Sequence, residues 1–171
     1  MRPTNSEAEV KSVKNYKTDY KPLVEFARKN ALPFIATNIP RRYASMVSRG
    51  GFEELDSLNA EAKRFIAPLP ALTDPELKCY KDKLCTACPA RGAKPNENFP
   101  KAQAIKDATM AHFIAENLTD GKTFIHYNGS YHSDNYLGII HYPEAIQARD
   151  KSGNHLNLSF RRILRNSKRK A

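Results

Sequence analysis

The chain has 171 residues, 40% of them apolar and 27% charged, with a formal net charge of +10. That apolar content supports a core and excludes whole-chain disorder. No apolar run approaches the ~20 residues of a membrane helix, the first residues lack the apolar stretch of a signal peptide, and three cysteines exclude a disulfide-dense scaffold.

Residues 1–15 are polar and mixed in charge and read as a disordered lead-in. A helical pattern starts at Asp19, with Leu23, Val24, Phe26 and Ala27 as its apolar stripe and Pro22 tolerated in the first turn. Leu32 to Thr37 is a short apolar run with β-formers, bounded by Asn38 and Pro40, and reads as a buried strand. Arg41 to Gly50 is the next helix, with Tyr43, Met46 and Val47 on one face and Gly50-Gly51 as its stop. Phe52 to Ile66 gives another helical stretch.

Residues 67–100 are rich in Pro and hold all three cysteines, so they read as a long irregular excursion with at most one short helix. Lys101 to Leu118 is the clearest helix, carrying the wide apolar stripe Ala104, Ile105, Ala108, Met110, Ala111, Ile114, Ala115 and Leu118 before an Asp120-Gly121 stop. Lys106 and Asp107 read as its polar face, and His112 as a solvated, salt-bridging histidine. Thr123 to Tyr127 is a second strand, with His126 structural inside it. Asn128-Gly129-Ser130 is a turn, and Ser133 or Asp134 caps a last helix carrying Tyr136, Leu137, Ile139 and Ile140.

Helix, strand, helix, repeated, predicts an α/β fold: a mostly parallel sheet flanked by helices. Parallel strands would bring the turns after both strands to one edge of the sheet, where such folds bind ligands. Arg41 and Arg42 sit in the first turn of a helix, where the macrodipole disfavours cations, so an anionic ligand there would offset the mismatch. His132 follows a glycine-containing turn and suits a metal ligand or proton carrier. Gly129 offers positive φ or close backbone approach. Asp134 is a cap and, second, an orienter of His132. Cys79-x5-Cys85-x2-Cys88 lacks the fourth ligand of a structural zinc site and reads as free thiols.

Residues 143–171 form a basic tail. Within it, 149–171 hold eight basic residues and one acid, or +7, against +3 for the rest of the chain. Leu156, Phe160, Ile163 and Leu164 lie at helical spacing among these charges, which suits an anionic membrane face or a nucleic-acid backbone as a side function. The near-neutral remainder argues against a nucleic-acid binder.

Three separated motifs, in order, resemble one family. They are Phe34-Ile35-Ala36-Thr37-Asn38-Ile39-Pro40-Arg41-Arg42-Tyr43-Ala44-Ser45, then Ala102 to Ala111, then His126-Tyr127-Asn128-Gly129-Ser130-Tyr131-His132-Ser133-Asp134. They are similar to the signature of ChaN-like haem-binding proteins of the Tiki/TraB-type superfamily, over roughly residues 16–142. The resemblance implies an α/β domain of the bacterial cell envelope, often in lipoproteins, linked to haem or iron uptake. It implies that Gly129-Ser130-Tyr131-His132 is one of the superfamily's two Gly-x-x-His motifs. The other has no counterpart here, so the resemblance reads 16–142 as a partial, C-terminal portion of the domain, with 78–95 and 143–171 departing from its pattern.

For haem, Arg41 and Arg42 suit the propionates. A Tyr phenolate or His imidazole suits the iron, with Tyr43, Tyr131 and His132 as candidates, and Met46 and Leu137 as wall residues. The leading expectation is a non-enzymatic haem or iron binder, with a homodimer sharing the ligand as one arrangement. The alternatives are a metal-dependent hydrolase holding a divalent ion, as in Tiki-type proteases, with Asp107 or Asp134 as its carboxylate near His132, and a tail-driven nucleic-acid or membrane binder.

Overall fold

A computed structural model describes residues 16–71, 73–86, 96–119 and 122–142, with side chains omitted for 83–86. The expected lead-in 1–15, the Asp120-Gly121 stop, Cys88, the side chain of Cys85 and the basic tail 143–171 lie outside what is described. The chain divides into two units, residues 1–36 and 37–171.

In the first unit a π-helical turn, Tyr16–Tyr20, leads into α1, Lys21–Lys29. Pro22 sits in the first turn, where its missing N–H costs nothing. Glu25 and Arg28 pair one turn apart at 2.6 Å. Of the expected apolar stripe only Ala27 is buried. Ala31, at φ 52°, turns the chain out of the helix, and Leu32 N–H closes it on Ala27 O at 2.9 Å.

The second unit is built around one helix. Its elements are α2, Arg41–Gly50; a 3-10 turn, Phe52–Ser57; α3, Ala60–Lys63; α4, Lys78–Thr86; α5, Phe99–Asn117; and three short 3-10 turns, Ser130–His132, Asp134–Tyr136 and Gly138–His141. α5 packs against α2, α4 and the last of these turns. Against α2, Ala102 and Ile105 join Ile39, Tyr43, Ala44, Val47, Leu55 and Ile66. Toward α4, Ala104 meets Leu77 and Tyr80. Further along, Ala108, Met110, Ala111, Ile114 and Ala115 cluster with Ile139 and Tyr142. A helix apolar on all sides is a central one, and the alanines let its neighbours approach closely.

The expected sheet is not there. The described part is helical over 61% of its residues and contains no strand. Leu32 to Thr37 and Thr123 to Tyr127 are extended but form no ladder among the described residues. β-forming side chains suit a pleated surface, but a strand exists only when its backbone groups pair with a neighbour. Phe34, in the run read as a buried strand, is 60% exposed, and Ile125, in the second run, is 67% exposed.

Two helix expectations also change. Phe52 to Ile66 breaks because Asn59 starts a new helix, its Oδ1 accepting from Ala62 N–H at 2.8 Å. The stretch after Ser133 is no helix, because Asn135 and Tyr136 take left-handed φ of 58° and 57° and Gly138 takes 65°.

Candidate functional site

The site lies where α5 meets the segment 122–142. Asp107 points inward from the middle of α5 and its side chain is fully buried. It does not lie on a solvated polar face. A buried carboxylate must be satisfied on both oxygens, and here it is. Its Oδ1 accepts from His132 Nδ1, and its Oδ2 accepts from Tyr80 Oη at 2.7 Å. Tyr80 Oη also lies 3.3 Å from Tyr142 Oη, which accepts from Asp74 N–H at 3.3 Å. His141 Nε2 approaches the Asp74 carboxylate at 3.5 Å.

Burial, with the Asp107 charge second, drives the Tyr80 phenol far above its ordinary value, and burial pushes Tyr142 up to about 12. Both phenols are therefore neutral donors across the working pH range. Burial also raises the half-buried Cys79 thiol, which packs against the Leu77, Tyr80 and Ala104 cluster, so it is a poor thiolate.

Gly138 closes the site from the C-terminal side. Its φ is left-handed, and a Cβ there would run into the His132 carbonyl and lie 3.0 Å from Asp107 Oδ2. Only glycine permits both the turn and the approach. Gly129, the residue expected to need this freedom, has ordinary φ of −67°, and a Cβ there would meet only His132 Cδ2 at 3.9 Å.

A second polar chain runs alongside. Thr37 Oγ1 and His126 Nε2 are 2.7 Å apart, and His126 Nδ1 lies 3.2 Å from Asn128 Oδ1. Asn128 Nδ2 donates to Ser133 Oγ and Gly129 O, at 3.0 and 2.9 Å. Because the Asn128 oxygen can only accept, His126 carries its proton on Nδ1 and accepts at Nε2 from the Thr37 hydroxyl. Burial, above all, lowers the His126 pKa and favours this neutral form. The Thr37–His126 bond ties the segment leading to Arg41 to the one leading to His132.

The expected site residues divide accordingly. His132 is held by the Asp107 carboxylate, while Asp134 opens a 3-10 turn and is half-buried. Tyr131 is exposed. Tyr43 is 5% exposed, inside the α2 core, and its hydroxyl accepts from Arg42 Nη2 at 2.8 Å. Arg42 also stacks its guanidinium 4.6 Å over the Tyr43 ring, while Arg41 is exposed at the start of α2. Of the wall residues, Met46 packs on the α2 core and Leu137 on the Tyr80 cluster. Tyr80, Tyr142 and Gly138 were not read as site residues, and Asp107 only as one of two carboxylates plausible beside His132 in a hydrolase. One signal was available for Asp107: it falls between Ala104 and Ala111, at i−3 and i+4, inside the apolar stripe.

Among the described residues no group of three or more His, Cys, Asp or Glu is placed to hold a metal ion. None of the described helices is long and apolar enough to cross a membrane. Residues 3–142 match the family described as haem-binding uptake, Tiki superfamily, ChaN, and the chain belongs to that family. No curated protein and no solved structure matches it.

Proposed function

We propose that this protein binds haem in the course of haem or iron uptake at the bacterial cell envelope, taking the iron on His132. The observation that carries this reading is the state of the His132 ring. Nδ1 is engaged by Asp107, Nε2 has no hydrogen bond among the described residues, and the side chain keeps 19% of its surface exposed. A histidine with one nitrogen anchored and the other open is the arrangement of an imidazole ligand.

The neighbouring residues suit the rest of a porphyrin. Tyr131 and Tyr136, near His132 in the chain and 54% and 78% exposed, offer aromatic surface for the flat apolar faces. Arg41 and Arg42 supply the cations for the propionates, and Gly129 leaves the approach to His132 clear of a side chain. Tyr43 is less suited as a ligand, since its phenol is packed in the core and bonded to Arg42. Both His126 nitrogens are occupied, so His126 supports the turn and does not ligate. Bound haem would supply a ferric centre open to a nitrogen donor; the protein holds that donor and fixes its proton on the far nitrogen. Two copies sharing the ligand is the assembly this reading favours, because one open donor covers one face of the iron.

The test is titration of the purified chain with haemin. A Soret shift is expected, weakened at least tenfold in affinity by His132→Ala, with a smaller loss in Tyr131→Phe. A folded protein that leaves the haemin spectrum unchanged refutes the reading.

A further inference from the structure

With Asp107 as the carboxylate, the proton positions around it follow from donor and acceptor capacity. Tyr80 has one hydroxyl proton, and the carboxylate at 2.7 Å has none to give back, so Tyr80 donates to Asp107 Oδ2. That leaves Tyr80 Oη only lone pairs for its other neighbour. Tyr142 is then the donor in the 3.3 Å contact between the two phenols. Tyr142 Oη is itself an acceptor for the backbone N–H of Asp74, which cannot be reversed. From that amide the donors all run one way, through Tyr142 and Tyr80, to the Asp107 carboxylate.

On its second oxygen the same carboxylate takes the Nδ1 proton of His132. Every member but His132 is buried or backbone-anchored, and the Gly138 backbone lies so close to Asp107 and the His132 carbonyl that no side chain fits between them. One tautomer of His132 is thereby selected, with its lone pair on Nε2.

We propose that Asp107, backed by Tyr80 and Tyr142, is the positioning residue for His132, presenting Nε2 as an unusually electron-rich ligand that favours ferric over ferrous haem; this rests on the haem reading above. A carboxylate that accepts the far N–H of a ligating imidazole raises the basicity of that ligand. A more basic axial ligand stabilises the higher oxidation state and lowers the reduction potential. The phenols tune the effect. With Tyr80 donating, part of the carboxylate's charge is drawn off; without it, more of that charge falls on the His132 proton.

The two variants therefore move the potential in opposite directions, which a merely structural role would not do. In the haemin complex, Asp107→Asn is expected to shift the reduction potential positive and to lower the iron–histidine stretching frequency of the reduced form. Tyr80→Phe is expected to shift both the other way. His132→Ala is run in parallel and should abolish the histidine-ligated spectrum. If it does, and Tyr80→Phe and Asp107→Asn leave potential and frequency at wild-type values or move them together, the inference fails while the haem reading stands. If His132→Ala leaves the spectrum unchanged, the haem reading itself fails. Should Asp107→Asn not fold, the direction of the Tyr80→Phe shift decides.

Discussion

The Asp107 carboxylate on α5 and the His132 imidazole, 25 residues further on, meet through Oδ1 and Nδ1, with the carboxylate wholly buried and the imidazole reaching the surface. The pair thus connects the central helix to the mouth of the site.

Removing the Tyr80 hydroxyl leaves Asp107 Oδ2 buried without its donor, which costs about 1–3 kcal/mol. Tyr80→Phe should therefore lower stability by that amount in urea unfolding, with an unchanged m-value. A loss below about 0.5 kcal/mol would mean that water replaces the phenol.

Gly138→Ala should be more damaging. A left-handed alanine costs about 1–2 kcal/mol before any clash, and here the new Cβ would press on the His132 carbonyl and the Asp107 carboxylate. Gly129→Ala meets only ordinary contact at 3.9 Å and should stay within about 1 kcal/mol of wild type. Thermal unfolding of the two variants side by side checks the contrast; equal losses would contradict it.

The helices were readable from sequence where a local signal set their ends. Arg41–Gly50 stands as expected because Gly51, at φ 95°, stops it. Lys101 to Leu118 shifted by only a residue or two, to Phe99–Asn117. The strands were not readable, because Phe34 and Ile125 report what a chain would fit and not whether a partner is there to pair with it. The site was half legible. His132 drew attention through its turn and Asp107 lies inside an apolar stripe, whereas Tyr80 and Tyr142 join them through hydroxyl contacts across 27 and 62 residues of chain, which no local pattern encodes.

His126 should give the protein an acid limb. Burial lowers its folded-state pKa below the unfolded value of about 6.5, so the unfolded chain takes up a proton first. The stability it contributes is complete above that value and is lost as pH falls toward the folded pKa. His126→Gln should flatten unfolding free energy against pH below about 6.5. Thr37→Val, which removes the hydroxyl bonded to Nε2, should lower stability at neutral pH by about 0.5–1.5 kcal/mol. An unchanged acid slope in His126→Gln would contradict this assignment.

At the alkaline end the buried phenols set the limit. An unfolded tyrosine ionises near 10, while burial holds Tyr142 up to about 12 and Tyr80 higher still. A raised folded pKa means that the stability from these groups is intact below about pH 10 and drains away as pH rises past it, because only the unfolded chain can lose those protons. Ultraviolet titration at the phenolate band should follow these two groups. A late fraction should appear only with unfolding, and Tyr80→Phe and Tyr142→Phe should each remove part of it. If all the phenols ionise in one reversible step near pH 10 with the fold intact, Tyr80 and Tyr142 are not enclosed behind Asp107, and the one-way chain of donors that orients His132 does not exist in solution.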